Sequence, residues 1–231
     1  MSIAQTKEKT LWKLIVVGGH TRSIGKTQLV CDVIRAFPRT EWIAGKVTQY
    51  GHGVCAQNGE NCDCAPTEHV CALDWEMRAD TGTDSARFLE AGAKRSFWLR
   101  TKQGFLAEGL PLLRRALDEV AKGTDSVANQ AVIVESNSLM QFLKPSLYFA
   151  VINPLKDDFK ESAQVALDRA HVLVVRAEVV GDAPPAPLWM RLPEQLMREK
   201  PSVLQREGEK LPELLWALVH RTLEGPPGVC V

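Results

Sequence analysis

Residues 14–27 read LIVVGGHTRSIGKT, and the helical pattern that follows, KTQLVCDVIRAF, runs from Lys26 to just before Pro38. An apolar run that stops at Gly18-Gly19, a short polar turn and a helix opening at Gly-Lys-Thr make a strand–turn–helix unit, the opening of an α/β domain. Gly25-Lys26-Thr27 has the form of the tail of a phosphate-binding loop, in which backbone N–H groups and the helix N-terminus cradle phosphates. Lys26 is expected to reach the β and γ oxygens and Thr27 to hold magnesium. The pattern asks for a glycine five residues before Gly25, where this chain has His20. Gly19 lies one residue too early, so the loop is either a variant entered by His20 or one residue longer. His20, Thr21, Arg22, Ser23, Ile24, Gly25, Lys26, Thr27 and Gln28 are therefore the candidate nucleotide-binding residues. Arg22 either adds a second cation against the phosphates or points to solvent or a partner subunit.

Further strands are expected at 42–48, 95–100, 131–134, 147–152 and 171–176, and helices at 84–92, 104–121, 157–169 and 209–223. The 104–121 helix is expected to break or kink near Pro111, and Asp157 or Asp158 to cap the 157–169 helix. AVIV, LYFAVI and HVLVV are continuously apolar rather than alternating. Strands covered by helices on both faces read that way, so the fold class is α/β with a mostly parallel sheet, of the P-loop NTPase kind. Glu135 follows the AVIV strand, at the end where ligands gather in this architecture. It is the candidate second catalytic residue beside Lys26, either holding a metal-bound water or acting as base. Asp80 and Asp84 are further carboxylate candidates, Asp84 either approaching magnesium or capping its helix.

Residues 50–82 differ in kind, rich in Gly, Cys, Asp and Asn with little periodicity. Cys55, Cys62, Cys64 and Cys71 follow a C-x6-C-x-C-x6-C spacing, with His52 and His69 beside them. Four thiolates can complete a tetrahedral zinc or ligate an iron–sulfur cluster, and histidine can replace one of them. Two cysteines from each of two chains could equally bridge a dimer. Cys31 falls in the helix after the phosphate loop and is expected to be core; Cys230 lies in a terminal GPPGVCV expected to fray. The tryptophans at 12, 42, 75, 98, 189 and 216 have no regular spacing and read as core or interface anchors.

The 231 residues suffice for one full-sized core and are too few for two ordinary domains of about 150 residues each. They divide into a nucleotide-binding unit at 1–180 carrying the cysteine-rich insertion, and a proline-rich link with a helical extension at 181–231. Lys+Arg and Asp+Glu are both 28, a balance that points away from a dedicated nucleic-acid binder. The N-terminal apolar run is too short for a signal peptide or a membrane span, which points to a cytoplasmic protein.

IVVGGHTRSIGKTQLV, IAGKVTQYGHG and TGTDSARFLEAGAKRSFW resemble, in that order, segments of the MobB-type GTP-binding proteins of molybdopterin guanine dinucleotide biosynthesis. The resemblance spans roughly residues 12–176 and rests most on Gly25-Lys26-Thr27, Lys46, Asp84-Ser85 with Arg87, and Ala91-Gly92-Ala93. It implies a homodimer with a seven- or eight-stranded, largely parallel sheet. It also implies phosphate and magnesium roles for Lys26 and Thr27, an acidic role for Glu135, and places for Lys46 and Asp84 near the nucleotide or second substrate. No Asn-Lys-x-Asp guanine-reading motif occurs, and the candidate positions read VINP and VVRAE, so both ATP and GTP stay open. The leading expectation is magnesium-dependent triphosphate binding and hydrolysis coupled to metal or metallocofactor handling, with a metalloenzyme or cofactor-assembly partner. A small-molecule kinase or ATP-dependent ligase with a structural metal, and a non-enzymatic nucleotide-binding adaptor, are the alternatives.

Overall fold

The computed structural model describes residues 11–51, 70–123, 129–153, 156, 158–176 and 199–231. In chain order the elements are β1 (Leu11–Trp12), β2 (Leu14–Gly19), α1 (Lys26–Ala36), β3 (Glu41–Tyr50), β4 (Cys71–Glu76), α2 (Asp84–Glu90) and β5 (Arg95–Lys102). There follow α3 (Leu106–Lys122), β6 (Gln130–Glu135), a 3₁₀ turn (Ser138–Gln141), β7 (Leu147–Ile152), α4 (Glu161–Leu167) and β8 (Val172–Val175). β9 (Ser202–Leu204), α5 (Glu213–Glu224) and β10 (Val229–Cys230) complete the chain.

Eight of these strands form one sheet in the order β4-β5-β3-β6-β2-β7-β8-β9, all parallel except β4, which runs antiparallel to β5. Helices cover both faces. On one side Leu29, Val33 and Ile34 of α1, Phe88 of α2 and Leu215 and Val219 of α5 pack on Ile15, Val17, Ile133 and Val174. On the other, Leu113 and Leu117 of α3 and Ala166 and Leu167 of α4 pack on Val16, Phe97, Val132 and Tyr148. Burial on both faces explains why every residue of β2, β6, β7 and β8 is buried, and why those strands carry no polar alternation.

Several sequence expectations change here. The stretch read as irregular contains β4, whose Leu73 and Trp75 pack toward the α3 side while Asp74 points the other way; its alternation is only six residues long. α3 runs unbroken through Pro111. Ala107, whose carbonyl the proline cannot serve, and Pro111 itself both lie on the exposed face, where water can take that carbonyl. α4 starts later than expected, with Lys160 rather than Asp158 as its N-cap; Asp157 lies outside the described residues. The terminal residues do not fray, since β10 pairs antiparallel with β1 and Val229 and Val231 are buried. The segment after the proline-rich link, itself outside the described residues, adds β9 to the sheet and α5 to a core face. Cys31 is core as expected; burial pushes its thiol up to about 11, leaving it unreactive. No helix among the described residues is long and apolar enough to cross a membrane.

Candidate functional site

β2 lies between β6 and β7. From its C-terminal end α1 carries the chain past β6 to β3, whereas after β6 the chain passes β2 to reach β7. The connections diverge at Gly18-Gly19, and crevices at such divergence points are where open α/β sheets bind ligands. The residues that close β2, β6 and β7 all arrive there.

The loop that follows is built from two left-handed residues, Ser23 at φ 49° and Gly25 at φ 87°. A non-glycine residue in that region is sparsely populated and is held by its surroundings. At Gly25 a side chain is also sterically barred: a Cβ there would lie 2.5 Å from Cδ of Arg176. Gly25 is the N-cap of α1 and supplies no capping side chain, so the first-turn N–H groups keep their capacity for an anion. Gly18 is required by close approach, since a Cβ would fall 2.3 Å from Oδ1 of Asn137. Asn137 clamps the adjacent residue instead: Gly19 N–H donates to its Oδ1 at 2.8 Å, and its Nδ2 donates to Gly19 O at 2.7 Å.

Lys26 folds back over the loop, its ammonium donating to Thr21 O at 2.5 Å. Burial holds that ammonium below the usual lysine value, with Glu135 pulling the other way. Thr27 Oγ1 donates to Glu135 Oε2 at 2.6 Å across the gap between α1 and β6. Glu135 is buried and stands in register with Lys46 of β3, which pairs with Asp84 at the start of α2. Lys46 lies four residues before the end of its strand. Asp84 is not the cap of α2; Thr83 is, accepting from Ala86 N–H at 3.1 Å. Asp80 forms an exposed pair with Arg78, away from this group.

The other candidates divide. Ile24 is buried in the core and offers the site only its backbone. The side chain of Gln28 is engaged sideways, donating to Asp32 at 2.8 Å and accepting from Arg87 at 2.9 Å. Asp32 also pairs with Arg176 at 3.1 Å, so a polar chain runs from beneath Gly25 around α1 to α2. Arg22 lies on the loop where its charge acts on Lys160.

His20 is almost fully buried and serves as the clasp between the loop and the segment after β7. Its N–H donates to Val151 O at 3.2 Å, and its carbonyl accepts from Lys160 N–H at 2.8 Å. Nε2 lies 3.2 Å from Lys156 O and Nδ1 3.4 Å from Asn153 N–H, an arrangement that assigns the proton to Nε2. Burial lowers its pKa, consistent with a neutral ring held between a carbonyl and an amide. Thr21 hydroxyl donates to Asp158, Lys156 Nζ donates to Ser23 O at 2.9 Å, and the Phe159 ring lies 5.4 Å from the imidazole. The missing loop glycine is thus replaced by a residue that fastens the loop to its neighbour.

Of the four cysteines, Cys71 opens β4, its thiol 3.8 Å from Glu108 O; Cys55, Cys62 and Cys64, with His52 and His69, lie outside the described residues. Among the described residues no three metal-binding side chains converge. The ends of the cysteine-bearing stretch are pinned to adjacent amides: Gln103 N–H donates to Tyr50 O at 2.8 Å and Lys102 N–H to Val70 O at 2.7 Å. Both anchors sit at the C-terminal end of β5, on the same side of the sheet as the C-terminal end of β2 and the loop that follows it.

Asn137, Lys156, Lys160 and Arg176 are not among the candidate site residues read from the sequence, where Asp158 is read only as a helix cap. The signal for Asn137 was its place two residues after a strand-end carboxylate; nothing in the local pattern marks the others. No family model matches this chain, and no curated protein matches it either. The fold itself is a mostly parallel sheet between two helical layers.

Proposed function

We propose that the protein binds a magnesium–nucleoside triphosphate, ATP or GTP, at the loop 20–27 and hydrolyses it. The observation that carries this reading is the 2.6 Å bond between Thr27 and Glu135 at the helix N-terminus beside Lys26. One hydroxyl and one carboxylate are hard oxygen donors suited to a partly hydrated magnesium. Thr27 Oγ1 can offer a lone pair to an ion while its hydroxyl proton stays donated to Glu135, so the residues present fit. Magnesium bound with the triphosphate would neutralise charge on the phosphate oxygens. Lys26 and the first-turn N–H groups of α1 would stabilise charge developing as the bond to the leaving diphosphate breaks. Glu135 would orient the attacking water and take its proton as the water oxygen bonds to the γ-phosphorus and the bond to the diphosphate oxygen breaks; the proton then passes to solvent as inorganic phosphate and the diphosphate leave. Phosphate release by the purified chain with ATP and with GTP tests this. Slow turnover that requires magnesium supports it; turnover only with an added small-molecule acceptor would favour the kinase or ligase reading.

A thiolate metal site on the segment 55–71 belongs to the same proposal, along with a homodimer and a metallocofactor-assembly partner. Its support is the donor set of four cysteines, which suits zinc or an iron–sulfur cluster, and the anchoring of Tyr50 and Val70, which bracket that segment, at the C-terminal end of β5. Nucleotide state could then be felt at the metal. Paired Cys62→Ser and Cys64→Ser substitution is expected to remove the metal of the anaerobically purified protein, read by elemental analysis with acid-labile sulfide. Unchanged metal content would place the ligands elsewhere.

A further inference from the structure

Lys160 ends the segment clasped over the phosphate loop. Its backbone N–H is fixed on His20 O at 2.8 Å, and its neighbours Lys156 and Asp158 hold Ser23 and Thr21 of the same loop. Its side chain is half-buried, and among the described residues its ammonium has no hydrogen bond or ion pair. The charges that reach it are Arg22 and Lys26 from the loop and α1, Lys46 from β3, and Asp158 from its own segment. Glu135 and Asp84 act on Lys26, as does Lys156. Among the described residues the groups acting on these two ammoniums are thus mostly cations, Arg22, Lys46 and Lys156 together with each other, against Glu135, Asp84 and Asp158. A half-buried ammonium without a partner, set among like charges, is a cost to the fold that a bound anion removes.

We propose that Lys160 is a second phosphate-binding ammonium of this site, delivered by the β7–α4 segment through its clasp on His20. The assignment rests on the reading of the loop as a nucleoside triphosphate site. It has a consequence for pH. Burial, then Arg22 and Lys26, pull the amine from 10.5 to about 8. The proton is therefore lost as pH rises through about 8 in the free protein, and an anion beside the amine restores it. Between that value and the higher one of the complex, binding takes up a proton, and affinity falls by up to about tenfold per pH unit.

The test measures the Kd of MgATP and MgGTP at fixed ionic strength from pH 7.5 to 9.5, where the triphosphate is already fully ionised, for four proteins. The wild type is expected to weaken across that range. Lys160→Met is expected to bind about tenfold more weakly at pH 7.5 and to show a flatter profile, for loss of one charge-assisted contact. Lys160→Arg, charged throughout, is expected to keep at pH 9.5 the affinity that the wild type has lost. Lys26→Ala serves as the control for the loop. If Lys160→Met kept the wild-type Kd and slope while Lys26→Ala lost binding, the role of Lys160 would be overturned and the loop reading would stand. A wild type that binds neither nucleotide would overturn the loop reading, and this inference with it.

Discussion

Lys26→Ala is expected to weaken triphosphate binding by about 100-fold, or about 3 kcal/mol, while changing unfolding free energy by less than about 1 kcal/mol. The asymmetry follows from what the side chain touches. Among the described residues its ammonium donates to Thr21 O, 2.5 Å away in its own loop, and burial already holds the ammonium below its usual pKa. The fold therefore gains little from a cation there, and removing it relieves a desolvation cost about as large as the lost bond. On the proposed reading a phosphate would gain much more, since it would meet the ammonium in a partly dehydrated site beside the first-turn N–H groups of α1. Calorimetric titration and a thermal melt on the same sample check both halves. Unchanged triphosphate affinity would remove the loop from the account.

The second large effect is on turnover. Glu135→Gln should cut hydrolysis by about 100- to 1000-fold and alter nucleotide affinity by less than about tenfold. The glutamine carbonyl can still accept the Thr27 hydroxyl now bonded to Glu135 at 2.6 Å, so the junction of α1 and β6 should survive. What disappears is the negative charge and the capacity to take a proton from water. Multiple-turnover phosphate release, compared with equilibrium binding, separates the two. Wild-type turnover in the variant would exclude Glu135 from the chemistry.

The continuous apolar runs of β6, β7 and β8 made the sheet legible, because a strand buried on both faces has no room for polar alternation. A turn ending at Gly25 was legible from the glycine before the helix; its left-handed conformation, φ 87°, is one that few residues other than glycine take. β4 was harder to see. It is a short antiparallel edge strand whose half-buried residues come from tertiary pairing with β5 rather than from strong local pattern. His20 looked like a defect in the loop pattern because its purpose lies more than 130 residues away, at Val151, Asn153 and Lys156. Asn137, 118 residues from Gly19, and Arg176 also act from far along the chain. Each acts on a glycine of the loop from another strand end, and such contacts leave no periodic trace. Gln28 shows the converse, a residue placed by spacing beside the phosphates whose side chain turns to Asp32 and Arg87.

The central claim is that residues 20–27 form a triphosphate site completed by Thr27 and Glu135. Its most direct test is equilibrium titration of the wild-type chain with ATP and GTP, each with and without magnesium, and with the matching monophosphates. The account predicts saturable, magnesium-dependent binding of at least one triphosphate, at least about 100-fold tighter than its monophosphate, since the phosphates supply most of the contacts. Absence of binding by either triphosphate at about 1 mM, a free energy weaker than about −4 kcal/mol, would contradict it.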